Sequence, residues 1–162
     1  NFSNKDFTAA DFTKTSFHDC EFISCNFSLI NLDDCSFNNV LFKECKFLGV
    51  DFSKCNKLVL HFDFEACLIK NCLFVEMDLE NTEFISCNIK NCLFLDTNLS
   101  ESSFCGSIFE KTRFENVNLE NASFLKAKNY SINPNKNKIK GAKFSFPEVV
   151  SLLKFFEIKI KK

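Results

Sequence analysis

The sequence predicts an all-β solenoid, a right-handed four-sided (quadrilateral) β-helix closed at its C-terminal end by an α-helix. Three observations predict the coil. Phe recurs every five residues, small residues sit two positions before the large ones, and whole hexapeptides return after twenty residues or three twenties plus two. Phe2, Phe7, Phe12, Phe17, Phe22 and Phe27 open the series, followed by Leu32 and then Phe37, Phe42, Phe47 and Phe52. A second block runs from Phe64 through Ile69, Phe74, Leu79, Phe84, Ile89, Phe94, Leu99, Phe104, Phe109, Phe114 and Leu119 to Phe124.

A step of five suits neither regular element. On an α-helix it scatters the large residues around the circumference, and on a flat strand it sends alternate ones to opposite faces. It becomes coherent when each quintet is one side of a coil with a bend between sides. The large centre and the residue two before it, such as Ala10, Cys25, Cys72, Cys92 or Val117, then point inward together. The string IKNCLF at 69–74 returns unchanged at 89–94, and EFISCN at 21–26 returns at 83–88. The first interval is twenty residues and the second is three twenties plus two, which sets four sides per coil. Residues twenty apart should stack about 4.8 Å apart along the axis.

Quintets such as AADFT (9–13), ISCNF (23–27), EACLI (65–69) and LENAS (119–123) resemble those of the pentapeptide-repeat proteins over roughly 1–126. That resemblance implies the right-handed, four-sided β-helix with ladders of Phe and Leu. It says little about function, because the family serves many roles.

Domain organisation follows the repeat: residues 1–126 form the β-helix, interrupted at 56–63, and 127–162 form an irregular exit with a capping or dimerising helix and a short strand. The two extra residues fall within NKLVLHF (56–62), where an unbroken register would bury Lys57, a charge with no evident partner. Near the end, Ser145, Pro147 and Glu148 read as N-cap, first turn and capping box. EIKIK (157–161) alternates like a strand.

Composition narrows the function classes. The 23 Phe stand against 3 Gly and 2 Pro, so the bends cannot rest on the usual turn residues. The ten Cys fall mostly at multiples of five, a spacing unlike zinc sites. They read as reduced core thiols and point to a cytoplasmic protein. No secretory signal is legible at Asn1, and no run of about 18 apolar residues exists to span a bilayer, so no membrane partner is expected. Residues 1–126 hold 11 Lys+Arg and 19 Asp+Glu, a net of 11 − 19 = −8; residues 127–162 hold 9 Lys and 2 Glu, a net of 9 − 2 = +7.

No catalytic constellation, cofactor motif or metal-ligand cluster is legible: His18 and His61 stand apart, and no phosphate-binding glycine loop is present. The expectation is a non-enzymatic protein-binding or scaffold rod. Leu73, Val75, Leu93 and Leu95 flank centres one coil apart and form the candidate interaction patch. The alternative comes from the resemblance. The C-terminal end is similar to that of the quinolone-resistance pentapeptide proteins, which implies a DNA-mimicking ligand of DNA gyrase or topoisomerase IV, with acidic faces turned to a basic groove. Direct nucleic-acid binding is not expected, since the acidic body repels phosphate. Phe146, Val149, Val150, Leu153, Phe155, Phe156, Ile158 and Ile160 are more apolar surface than one capping stripe uses, and predict a homodimer through this end.

Overall fold

The computed structural model describes residues 1–159. The chain winds as a solenoid of about seven turns, built from short parallel strands. The pairing register is twenty residues: Phe2 lies beside Phe22, Phe22 beside Phe42 and Phe94 beside Phe114. One column of phenyl rings runs the length of the rod, from Phe2 through Phe22, Phe42, Phe64, Phe84, Phe104 and Phe124 to Phe144, with successive centroids 4.9–5.4 Å apart and nearly parallel. Phe74 stacks on Phe94 at 4.6 Å, both fully buried. Between columns the rings meet edge to face, as in Phe84–Phe94 at 5.9 Å and 89°. Ring quadrupoles favour both arrangements.

The chain's three glycines, Gly49, Gly106 and Gly141, make three of the bends, and the others are made without glycine. The second residue after each centre takes left-handed backbone, as at Asn71, Glu76, Asn81, Ser86, Asn91 and Asp96, with φ between 51° and 59°. For an L-residue this costs about 1–2 kcal/mol, least for Asn. The neighbouring coil offsets it: the bend N–H of Asn71 donates to Lys90 O, and that of Glu76 to Leu95 O, both at 2.9 Å.

The inward small positions carry more than small volume. Cys45 Sγ donates to Phe22 O at 3.3 Å, Cys67 Sγ to Phe42 O at 3.2 Å and Cys92 Sγ to Ile69 O at 3.4 Å. One coil further on, Ser107 Oγ reaches Phe84 O and Thr112 Oγ1 reaches Ile89 O. Cys, Ser and Thr interchange here because each is compact and has one hydrogen to donate to the coil before. All ten thiols are free, and eight are buried. Burial pushes the Cys35 thiol up to about 12 and raises Cys25 and Cys55 as well.

The interruption is narrower than 56–63. Phe37 pairs with Leu60 and Val40 with Phe62, so the register slips between them. Only Lys57–Val59 turn outward; Leu60–Glu65 is again a strand. Lys57 is exposed and its Nζ lies 3.8 Å from Glu76. Phe62 occupies an inward position that is small elsewhere, edge-on to Phe37 and Phe64. It fills the space beside the half-buried Leu60.

Coil pairing continues beyond residue 126. Asn118 bridges Lys138, and Phe124 pairs with Phe144. Asn137 takes an inward small position, its Nδ2 donating to Phe114 O and its Oδ1 accepting the Val117 N–H. Lys- and Asn-rich outer positions hide this last coil from a hydrophobic pattern.

The closing segment differs from the expected α-helix: Glu148–Phe156 is a 3-10 helix. The capping box does not form either. Ser145 Oγ accepts the Lys126 N–H and Glu148 Oε2 the Asn129 N–H, so both side chains serve the last coil instead of the helix start. Pro147 becomes the N-cap, without a side-chain bond. Leu152 is buried against the core and Val149 packs beside it. The helix ends on Glu157 in left-handed backbone, and Ile158 and Lys159 form no strand. The rest of the expected strand, including Ile160, lies outside the described residues.

Two measurements check this architecture. Phe94→Ala removes a ring held between Phe74 and Phe114 and should cost about 3–5 kcal/mol in denaturant unfolding; Phe2→Ala, at the half-open first coil, should cost far less. Thiol titration of native protein should find Cys20 and Cys105, both partly exposed, reacting ahead of the other eight, with all ten reacting once the chain is denatured.

Candidate interaction surfaces

Because the phenyl columns fill the interior, the chemistry of the rod lies on its outer faces and ends. The residues on either side of each centre point outward. Parallel pairing therefore sets Leu73 beside Leu93 and Val75 beside Leu95. Leu73 is 40% exposed and the other three are half-buried. Asp51 lies below Leu73 in the same column, and Arg113 and Glu115 continue the two columns above, ion-paired at 3.2 Å. The four aliphatics thus form a two-coil apolar field between charged borders. The Lys57–Glu76 pair ties the 57–59 loop to the bend after Val75, and Leu58 on that loop is 93% exposed. The repeat pattern gave no signal for Leu58, because it stands in the two-residue insertion.

The carboxylates do not form unbroken rows. Several are met by an amide from the next coil: Asn39 Nδ2 donates to Asp19 at 2.7 Å, Asn98 to Asp78 at 2.9 Å, Asn116 to Asp96 at 2.6 Å and Asn121 to Glu101 at 2.9 Å. Lys43 pairs with Glu65 and Lys90 with Glu110. Glu21, Leu41 and Asp63 share one column, so an aliphatic separates two acids there. In the first coil, hydrogen bonds from the Thr8 hydroxyl and N–H hold the Asp6 carboxyl below the usual carboxylate range, and Thr13 does the same for Asp11.

His18 Nδ1 is 3.3 Å from Asn38 in the next coil, and the exposed His61 stands apart at the register slip. Among the described residues no group of three or more His, Cys, Asp or Glu is placed to hold a metal ion.

At the C-terminal end the structure divides the predicted apolar residues. Leu152 and Val149 cover the core, and Phe155 is half-buried over a side groove with Thr112, Arg113 and Phe114. Phe146, Leu153, Phe156 and Ile158 remain exposed, at 82%, 38%, 48% and 55%. A shallow groove runs between Pro147, Val150, Ser151, Leu153 and Ile158.

The model of a pentapeptide repeat region matches residues 1–63 and again 57–124. The chain belongs to the pentapeptide-repeat family. Among solved structures, this pentapeptide-repeat protein is similar to a trypsin-treated form of QnrB1, described as a plasmid-mediated fluoroquinolone resistance protein. The two share 18% identity over 99% of this chain and 87% of that one, with a TM-score of 0.73. HetL, described as involved in heterocyst differentiation regulation in the cyanobacterium Nostoc, matches at 11% identity over 88% of this chain and 86% of its own, with a TM-score of 0.33. No curated protein sequence matches significantly. At 18% identity the likeness to QnrB1 speaks for the fold alone.

Proposed function

We propose that the chain is a non-enzymatic protein-binding rod whose partner seats on the Leu73, Val75, Leu93 and Leu95 field. The observation that carries this reading is the field itself. Four adjoining aliphatics face outward in two neighbouring columns, bordered by Asp51, Arg113 and Glu115. An apolar centre with a charged rim is the ordinary anatomy of a protein contact. A filled solenoid offers no enclosed cleft in which reacting groups converge, which supports a binding role over catalysis. Ten free thiols support a cytoplasmic setting.

A second reading is a DNA-mimicking ligand of DNA gyrase or topoisomerase IV. The net −8 of residues 1–126 and the fold shared with QnrB1 favour it. The amides interleaved among the carboxylates weaken it, because they dilute the charge rows that a phosphate-binding groove reads. Pairing of two copies through the C-terminal end draws support from the exposed Phe146 and Phe156, and is opposed by the lysines of that end.

The test is affinity capture with the intact chain and with a Leu73→Asp, Leu93→Asp variant of unchanged circular dichroism. The variant should lose the partners that the intact chain retains; an identical retained set overturns the patch. Supercoiling by purified gyrase, with and without a fluoroquinolone, decides the second reading. Inhibition or drug protection at stoichiometric protein supports it, and no effect removes it.

A further inference from the structure

We propose that the C-terminal end of the rod docks on a bilayer surface carrying anionic phospholipid headgroups. Two independent features meet there. The first is the apolar tip of Phe146, Leu153, Phe156 and Ile158, which the capping helix leaves uncovered. The second is a belt of lysines on the final coil, with Lys154 beside Leu153 and Ile158. Residues 126–159 hold 8 Lys and 2 Glu, a net of 8 − 2 = +6. The final coil distributes these charges over several sides: Lys128 continues the column of Ile108, Lys138 that of Asn118 and Lys143 that of Ser123. Among the described residues none of the lysines from Lys126 to Lys154 forms an ion pair.

Length scales decide which charges such a surface feels. The belt lies within one or two coil spacings of the tip, about 5–10 Å, comparable to the Debye length of about 8 Å at physiological salt. The acidic coils extend away from the tip over roughly 30 Å, where their repulsion is screened. The lengthwise asymmetry therefore orients the rod end-on, with basic tip inward and acidic body outward. Aromatic and aliphatic side chains beside lysines suit the headgroup–acyl boundary, where apolar burial and attraction to anionic lipid act together. Docking of this kind needs no spanning segment, and no helix of the described residues is long and apolar enough to cross a membrane. The expectation of no membrane partner considered only spanning.

The belt also argues against the other occupants. Two-fold pairing of two such tips sets two lysine belts against each other. A nucleic acid long enough to follow the rod meets the acidic body.

The experiment is sedimentation of the full chain with vesicles of phosphatidylcholine alone and of phosphatidylcholine mixed with phosphatidylglycerol. Binding should appear only with the anionic vesicles and weaken in high salt. A Phe146→Ser, Phe156→Ser variant should bind on the order of tenfold less tightly, while Leu29→Ser, at an exposed position in an early coil, binds like the intact chain. Both Phe residues are exposed, so circular dichroism should show the variant folded. Equal binding to both vesicle types, or binding to neither, overturns the proposal. So does a salt-stabilised dimer, dissolved by the Phe variant, with no vesicle binding; that result assigns the tip to a second copy. Tight single-stranded DNA binding without lipid binding overturns it in favour of a nucleic-acid tip.

Discussion

A bend every five residues, made mostly without glycine, holds the backbone in a left-handed conformation that an isolated coil could not sustain. Each such bend depends on the next coil accepting its N–H, as Lys90 O does for Asn71. Successive coils must therefore stay in a twenty-residue register. Once that register is fixed, centre lies over centre and small position over small position along the rod. The phenyl columns, the thiol-to-carbonyl bonds and the Asn-over-Asp contacts all follow from it. Stability of this kind is nearest-neighbour in character, and the two ends and the one register slip are where it is weakest.

The slip shows how the core absorbs an error in the repeat. Two added residues at 57–59 leave a coil whose bend cannot pair in the usual way. Phe62 supplies the volume that a Cys or Val supplies elsewhere and remains fully buried. The insertion is spent on the surface, where it projects Leu58 and sets Lys57 against Glu76. A regular exterior thereby acquires an irregular feature beside its apolar field, which gives that field a local shape as well as a composition.

The charge distribution follows the same geometry. A rod with 19 acids in its first 126 residues would repel itself if like charges stacked at about 4.8 Å. Alternating Asp with Asn along a column replaces repulsion with a hydrogen bond. The surface stays acidic at long range, while several of its carboxylates are locally satisfied. The basic final coil breaks this rule, and its lysines carry no such partners among the described residues.

By itself the sequence determined the coil: the five-residue step, the two hexapeptide repeats and the placement of Cys specify the period, the inward residues and the register jump near Lys57. Those features are local and repeated, so each quintet reports on all the others. The adjacency of Leu73, Val75, Leu93 and Leu95 was legible for the same reason, being arithmetic in twenties. Only the tertiary structure decided the end of the rod. Ser145 and Glu148 satisfy an N-cap pattern, but the last coil offers the unpaired N–H groups of Lys126 and Asn129 nearby, and a long-range demand took side chains that a local rule had assigned to the helix. Likewise Asn137 and Tyr130 entered the core because the last coil needed a donor and a ring, a requirement set by the coil before it and invisible in the residues on either side.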